Sequence, residues 1–216
     1  MYRAILLDVY GTLVRDDEDW AEELCAHVAT VAGVPLPAVA AEWQRRLYAS
    51  ADVAHGAGFR TLDDLMLGSL GETAAHFGVR LEPVDRPRPC PALFDDSLPF
   101  LDAVNVPVCL VSDADRDELA AVLAFHGISV AEVVTSEEAR AYKPRPEPFR
   151  LALARLGVNP ADVVHIGNSP STDVAGAAAL GIDTAFIDRV GEGPVAATYT
   201  ARSLTELLPQ LRLTGR

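Results

Sequence analysis

Two textures alternate along the chain. Short apolar runs bounded by polar or turn residues occur at Ala4 to Val9, Val106 to Val111, Glu132 to Thr135, Val163 to Ile166 and Thr184 to Ile187. Runs that are apolar without alternation read as strands buried on both faces, as in a parallel sheet. Between them, Arg116 to His126, Pro148 to Leu156 and Val174 to Leu180 carry helical spacing, and Gly127, Gly157 and Gly181 stand where helices stop. Strand then helix, repeated, predicts α/β architecture around a parallel sheet.

One interval breaks the rhythm. From about Trp20 to Phe77 the apolar residues keep helical spacing with no strand-like run among them. This predicts a helical unit over residues 15–89, inserted into a core made of 1–14 and 90–216. The acidic run Asp16 to Asp19 marks its entrance as a solvated turn and helix start. Its exit is the proline-rich stretch Pro83 to Pro91, which favours an extended connector.

Composition narrows the class. A chain of 216 residues that is 50% hydrophobic and 23% charged has the apolar material for a folded domain. The net charge of −13 works against nucleic acid and anionic membrane surfaces, where each phosphate contact needs a cation. The opening run Ala4-Ile5-Leu6-Leu7 is too short for a signal peptide, and no later stretch approaches the ~20 apolar residues that span a bilayer. A cytoplasmic protein, monomer or homodimer, is expected. Cys25, Cys90 and Cys109 are scattered, with neither a disulfide framework nor a C-x-x-C metal motif.

Chemistry collects at the strand ends. In open α/β sheets ligands bind outside the carboxyl ends of the strands. Here the first strand runs into Asp8-Val9-Tyr10-Gly11-Thr12-Leu13 and the second into Ser112-Asp113. The third leads to Tyr142-Lys143-Pro144, and the fourth runs into Gly167-Asn168-Ser169-Pro170-Ser171-Thr172-Asp173. A lone aspartate is as often a cap as a nucleophile, and a lone lysine is usually solvated. Four such groups on alternating strands would meet at one edge.

In this order and spacing the four segments resemble the haloacid dehalogenase superfamily. The resemblance spans nearly the whole chain and implies a Rossmann-like core with an inserted small helical cap. It makes Asp8 the nucleophile of a covalent intermediate, splitting one hard step into two. It makes Lys143 the group that neutralises charge on the nucleophile and the transferring group. Thr12, Ser112 and Asp113 are then expected around the substrate, with the Thr12 hydroxyl, in the turn after Asp8, available for hydrogen bonding near the nucleophile. Asp8, the Tyr10 carbonyl, Asn168 and Asp173 are expected to hold Mg²⁺, and the substrate is expected to be a small anion.

Two departures from the family pattern bear on the reaction. Tyr10 stands where the phosphatases of the superfamily carry a second aspartate as general acid and base, and D-x-Y-G-T is the form its 2-haloacid dehalogenases show. A phenol of ordinary pKa near 10 is a weak acid, whereas a departing halide needs no proton. Asn168 stands where a metal-binding aspartate is usual; its amide oxygen can ligate Mg²⁺ but brings no charge. The spacing from Asn168 to Asp173 is the phosphatase spacing. A phosphoryl dianion needs charge neutralisation and a chloroacid does not, so the fourth segment favours a phosphatase, with a dehalogenase or a catalytically weak binding protein as alternatives. A dinucleotide-binding protein is disfavoured because no G-x-G-x-x-G follows the first strand. Trp43, Tyr48, Phe59, Arg45, Arg46 and Arg60 are candidates for substrate choice in the helical unit, with core packing the simpler reading of its aromatics. The histidines, His165 included, read as structural or exposed.

Overall fold

The computed structural model describes residues 1–16, 19–82, 90–191 and 193–214. Most of the proline-rich connector and part of the acidic run at the entrance lie outside these. Six parallel strands, β1 (Ala4–Leu7), β2 (Val108–Ser112), β3 (Glu132–Thr135), β4 (Val163–Gly167), β5 (Asp183–Ile187) and β6 (Tyr199–Ala201), form one sheet in the order β3-β2-β1-β4-β5-β6. The order reverses between β1 and β4, so their carboxyl ends flank the topological switch point where a doubly wound sheet leaves a crevice.

Alternation along the strands fills both faces. Ile5, Leu7, Val108, Leu110, Val164, Ile166, Ala185 and Ile187 pack on one side with α4 (Ser97–Ala103), α5 (Arg116–His126) and α9 (Leu204–Leu207), through Phe100, Leu119, Val122, Leu204 and Leu207. Ala4, Leu6, Cys109, Val111, Val134 and Val163 pack on the other with Phe149, Ala152 and Leu153 of α7 (Pro146–Leu156) and Ala177 of α8 (Ala175–Ala178). Each buried Leu, Ile or Phe contributes roughly 1.5–3 kcal/mol to folding, which makes the strand faces the main source of the core's stability.

The elements depart from expectation in particular places. Before β2, Pro107 has no N–H for the ladder, and the strand begins one residue later than that proline. The helix expected from Val174 is preceded by a wide turn, Pro170–Val174, in which Val174 N–H reaches back to the Ser169 carbonyl at 3.1 Å. The edge strand β6 escapes the sequence pattern because it is short and only Ala201 of it is buried.

The chain divides into two compact units, 1–16 with 90–216, and 17–89. Arg15 and Asp16 belong to the first unit, two residues beyond the expected boundary: Arg15 N–H bonds the Ala92 carbonyl at 2.8 Å, and Val14 bridges Leu93. The second unit is helical: α1 (Asp19–Ala32), α2 (Leu36–Val53) and α3 (Leu62–His76) bury Cys25, Val28, Val39, Trp43, Met66 and Leu70. Trp43 and Phe59 are buried, and Trp43 Nε1 donates to Ser69 Oγ at 2.9 Å. Arg45 and Arg46 both bond Glu42. Tyr48 is exposed. No described helix is long and apolar enough to cross a membrane.

Candidate active site

Asp8 leaves β1 with its N–H still on the Ile166 carbonyl of β4, at 2.9 Å, so its position is set by the sheet. The chain then turns sharply. The Val9 carbonyl accepts from the N–H groups of Thr12, Leu13 and Val14, and Gly11 takes φ +76. A side chain at residue 11 would also collide with the Asn168 amide, whose nitrogen lies 2.2 Å from where a Cβ would stand. Glycine is therefore required twice over, by conformation and by contact. The turn sends the Thr12 hydroxyl back to Asp8 Oδ2 at 2.8 Å. Thr12 is buried, and its hydroxyl lies at Asp8, where the turn was expected to bring it.

Lys143 arrives by a local device. Thr135, the last residue of β3, caps the short helix α6 (Ser136–Ala139) in a capping box with Glu138, and Arg140 in the left-handed region ends it. Three residues later the Lys143 N–H bonds Asp113 Oδ1 at 2.9 Å, fixing the backbone from which the ammonium reaches inward. Nζ lies 2.7 Å from Asp8 Oδ1 and 2.6 Å from Asp173 Oδ1, with all three side chains buried. Asp113, half-buried and expected at the substrate, is thus bonded to the lysine's backbone. Ser112 is buried, and its Oγ accepts from the Ala114 N–H at 3.2 Å.

Asp173, expected at the metal, lies among hydrogen-bond donors. Its Oδ1 is shared by Lys143 and His165 Nε2, the latter at 3.0 Å, and its Oδ2 accepts from the Ser169 N–H at 3.0 Å. Its oxygens are taken up by donors, and the cap of the following turn is Ser169, whose Oγ accepts from Thr172 N–H. The Asp173 side chain passes directly over Gly167, where a Cβ would meet Asp173 Cγ at 2.3 Å.

The electrostatics follow from burial and one cation. Burial opposes ionisation of Asp173, but Lys143 and the hydrogen bond from His165 prevail and hold it below the usual carboxylate range. Asp8 is pushed up, by burial first and by the charge of Asp173, against the pull of Lys143. Asp113 is pushed up to about 6 by burial, with Lys143 opposing. Burial alone would lower Lys143, but Asp173, Asp8 and Asp113 together hold it above its ordinary value, so it stays charged.

Asn168 faces the remaining oxygens. One end of its amide stands 3.1 Å from the Tyr10 carbonyl oxygen and 3.2 Å from both Thr12 Oγ1 and Asp8 Oδ2, while its other end faces only donors. Neighbouring ligands of octahedral Mg²⁺, bound at 2.0–2.1 Å, lie about 3.0 Å apart. From an inward Asn168 Oδ1, Asp8 Oδ2 and the Tyr10 carbonyl therefore each stand at the separation of neighbouring ligands on a divalent cation. The same positions suit an amide turned over, with its NH₂ donating to these oxygens. Among the described residues no three His, Cys, Asp or Glu side chains form a metal cluster.

Two contacts escape sequence reasoning. Arg189, after β5, donates to the Thr12 carbonyl at 2.6 Å and to Asp96 at 3.0 Å, and its guanidinium stacks 3.7 Å over Phe94. Nothing local in the sequence signals it. His165 was read as structural or exposed, yet it touches Asp173; the signal was a polar residue inside the run Val163-Val164-His165-Ile166-Gly167.

Comparison with known proteins gives the family and the fold. The chain is 35% identical over 79 residues to the phosphoserine phosphatase of Thermus thermophilus, covering 37% of this chain and 31% of that protein. It is 29% identical over 122 residues to the (S)-2-haloacid dehalogenase 4A of Burkholderia cepacia, covering 54% and 52%. These matches span between about a third and a half of the relatives' length. Among solved structures, the L-2-haloacid dehalogenase of Xanthobacter autotrophicus superposes with a TM-score of 0.73 at 19% identity over 98% of both chains. The HAD phosphatase of Thermococcus onnurineus gives 0.69 at 22% identity, also over 98% of both. At such identities the likeness shows the fold. Residues 2–181 match the family of haloacid dehalogenase-like hydrolases. The chain belongs to that family.

Proposed function

We propose that this hydrolase acts on a small phosphorylated metabolite through an aspartyl-phosphate on Asp8, with Mg²⁺ held by Asp8, the Tyr10 carbonyl and Asn168. The observation that carries the reading is the set of oxygens around the Asn168 amide, spaced as cation ligands at the carboxyl ends of β1 and β4. It is supported by the phosphatase relative and by the spacing from Asn168 to Asp173. When bound, the cation supplies Lewis-acid charge neutralisation for a phosphoryl dianion.

The protein's own groups do the rest. A carboxylate oxygen of Asp8 attacks phosphorus, the bond to the leaving oxygen breaks, and water then cleaves the acyl-phosphate to return the carboxylate. Thr12 and Lys143 hold Asp8 in orientation from its two oxygens, so little freedom is lost at the moment of attack. As Asp8 gives up its negative charge to the ester, Lys143 keeps its pairing with Asp173 and its field turns to the transferring group. Tyr10, with a phenol in place of a carboxyl, is a poor proton donor to an alkoxide, which restricts efficient turnover to esters with acidic leaving groups. The helical unit, inserted between β1 and β2, is proposed as the cap that selects the substrate.

A second reading is favoured by the turned amide. With its NH₂ on Asp8 Oδ2 and the Tyr10 carbonyl, Asn168 is satisfied at both ends without a cation, which suits 2-haloacid dehalogenase chemistry through an aspartyl ester. Parallel assays with p-nitrophenyl phosphate and 2-chloropropionate, each with and without Mg²⁺, separate the two. Mg²⁺-dependent phosphate release without halide release is the expected result. Halide release indifferent to Mg²⁺ would replace the phosphatase reading.

A further inference from the structure

We infer that His165 is a positioning residue that holds Asp173, and through it Lys143, in register with Asp8. The inference rests on the reading of Asp8 as nucleophile, whichever leaving group that nucleophile displaces.

His165 occupies the middle of β4, paired with Leu6 of β1 and Thr184 of β5, where its flanking residues Val164 and Ile166 are wholly buried and apolar. Its side chain is fully buried. Nε2 lies 3.0 Å from Asp173 Oδ1, and the ring meets Phe149 edge-on at 5.0 Å and 87°. Nδ1 has no hydrogen-bond partner among the described residues. A buried polar atom left unpaired costs free energy that Leu or Val at this position would avoid. The bond to Asp173 is the compensating contact. Asp173, held ionised, can only accept, so the ring donates through Nε2.

The geometry shows what that bond does. Asp173 Oδ1 takes two donors, Lys143 Nζ and His165 Nε2, and Oδ2 takes the Ser169 N–H. One donor on each oxygen besides the lysine fixes the plane of the carboxylate. With the ring removed, the carboxylate turns about the Ser169 contact and carries the ammonium with it. The fixation matters most once Asp8 is esterified, because Lys143 then has Asp173 as its remaining carboxylate of the pair. His165 touches neither substrate nor reacting atoms, and its effect passes through Asp173.

The test compares His165→Leu, which deletes the donor, with His165→Gln, which offers an amide N–H in its place. With p-nitrophenyl phosphate and Mg²⁺, His165→Leu is expected to lower kcat about 10- to 100-fold with KM within a few-fold of wild type, and His165→Gln to recover most of the loss. Proton–nitrogen NMR supplies a readout independent of turnover. The wild-type ring is expected in the Nε2–H tautomer, and the Lys143 ammonium resonance is expected to shift or broaden in His165→Leu. Wild-type kcat in folded His165→Leu would overturn the inference. So would an unchanged Lys143 resonance in that variant, or an Nδ1–H tautomer in the wild type, which can be read even if the Leu variant fails to fold. Absence of turnover in the wild type would count against the phosphatase reading alone and leave the NMR arms to decide this one.

Discussion

Lys143 serves two buried carboxylates with one ammonium, and the consequences differ for each neighbour. Asp173 is the committed counter-ion, held by three donors. Asp8 is pushed up by burial and by the charge of Asp173, so of the two it has the higher proton affinity. Asp113 gives a sign that can be measured. With its carboxyl at about 6 in the fold and near 4 in the unfolded chain, the native state binds the extra proton between these values. Stability contributed by that proton is present below about pH 4 and is lost as pH rises through about 6. Asp113→Asn removes this component. Urea unfolding across that window is expected to show wild type losing stability with rising pH relative to the variant; a constant difference between the two would contradict the assignment.

At the scale of elements, the site depends on close approaches that only small residues permit. Gly167 ends β4 under the Asp173 side chain, and a methyl there would overlap Cγ, Oδ2 and Cβ of that residue. Gly167→Ala is expected to cost roughly 1–3 kcal/mol by overpacking and to lower turnover by pushing Asp173 away from Lys143. Gly71 in α3 is the control: a methyl there meets nothing within 4 Å, so Gly71→Ala should raise stability by up to about 1 kcal/mol with activity unchanged. Equal effects of the two substitutions on thermal unfolding and rate would refute the contact argument. The same elements show what a sequence can disclose. Arg116–His126 was legible to the residue, because Gly127 ends it in the left-handed region at φ 66. β3 was legible because its run Val133-Val134 between polar ends has no helical alternative. β6 was not, since its pairing with β5 is a tertiary fact that three residues with one buried side chain do not announce. The candidate residues could be named as a set from their places after the strands, and the structure does bring Asp8, Lys143 and Asp173 together. Their partners could be named only in part: the Thr12 hydroxyl was placed near Asp8, but no spacing rule says that Asp173 turns to Lys143.

For the molecule as a whole, the sheet order puts Asp8 and the Asn168 segment on either side of one reversal, and the two flanking layers keep them there. A fold of this kind accommodates either leaving group, and the family relation alone does not choose between phosphate and halide. What both chemistries share is attack by Asp8, and that is the claim on which the rest depends. The most direct test is the turnover of Asp8→Asn, which keeps the side-chain shape and the Thr12 and Lys143 contacts in reach while removing the attacking carboxylate. The account predicts background rates with p-nitrophenyl phosphate and 2-chloropropionate alike, in protein whose circular dichroism matches wild type. Appreciable turnover of either substrate by that folded variant would contradict covalent catalysis by Asp8.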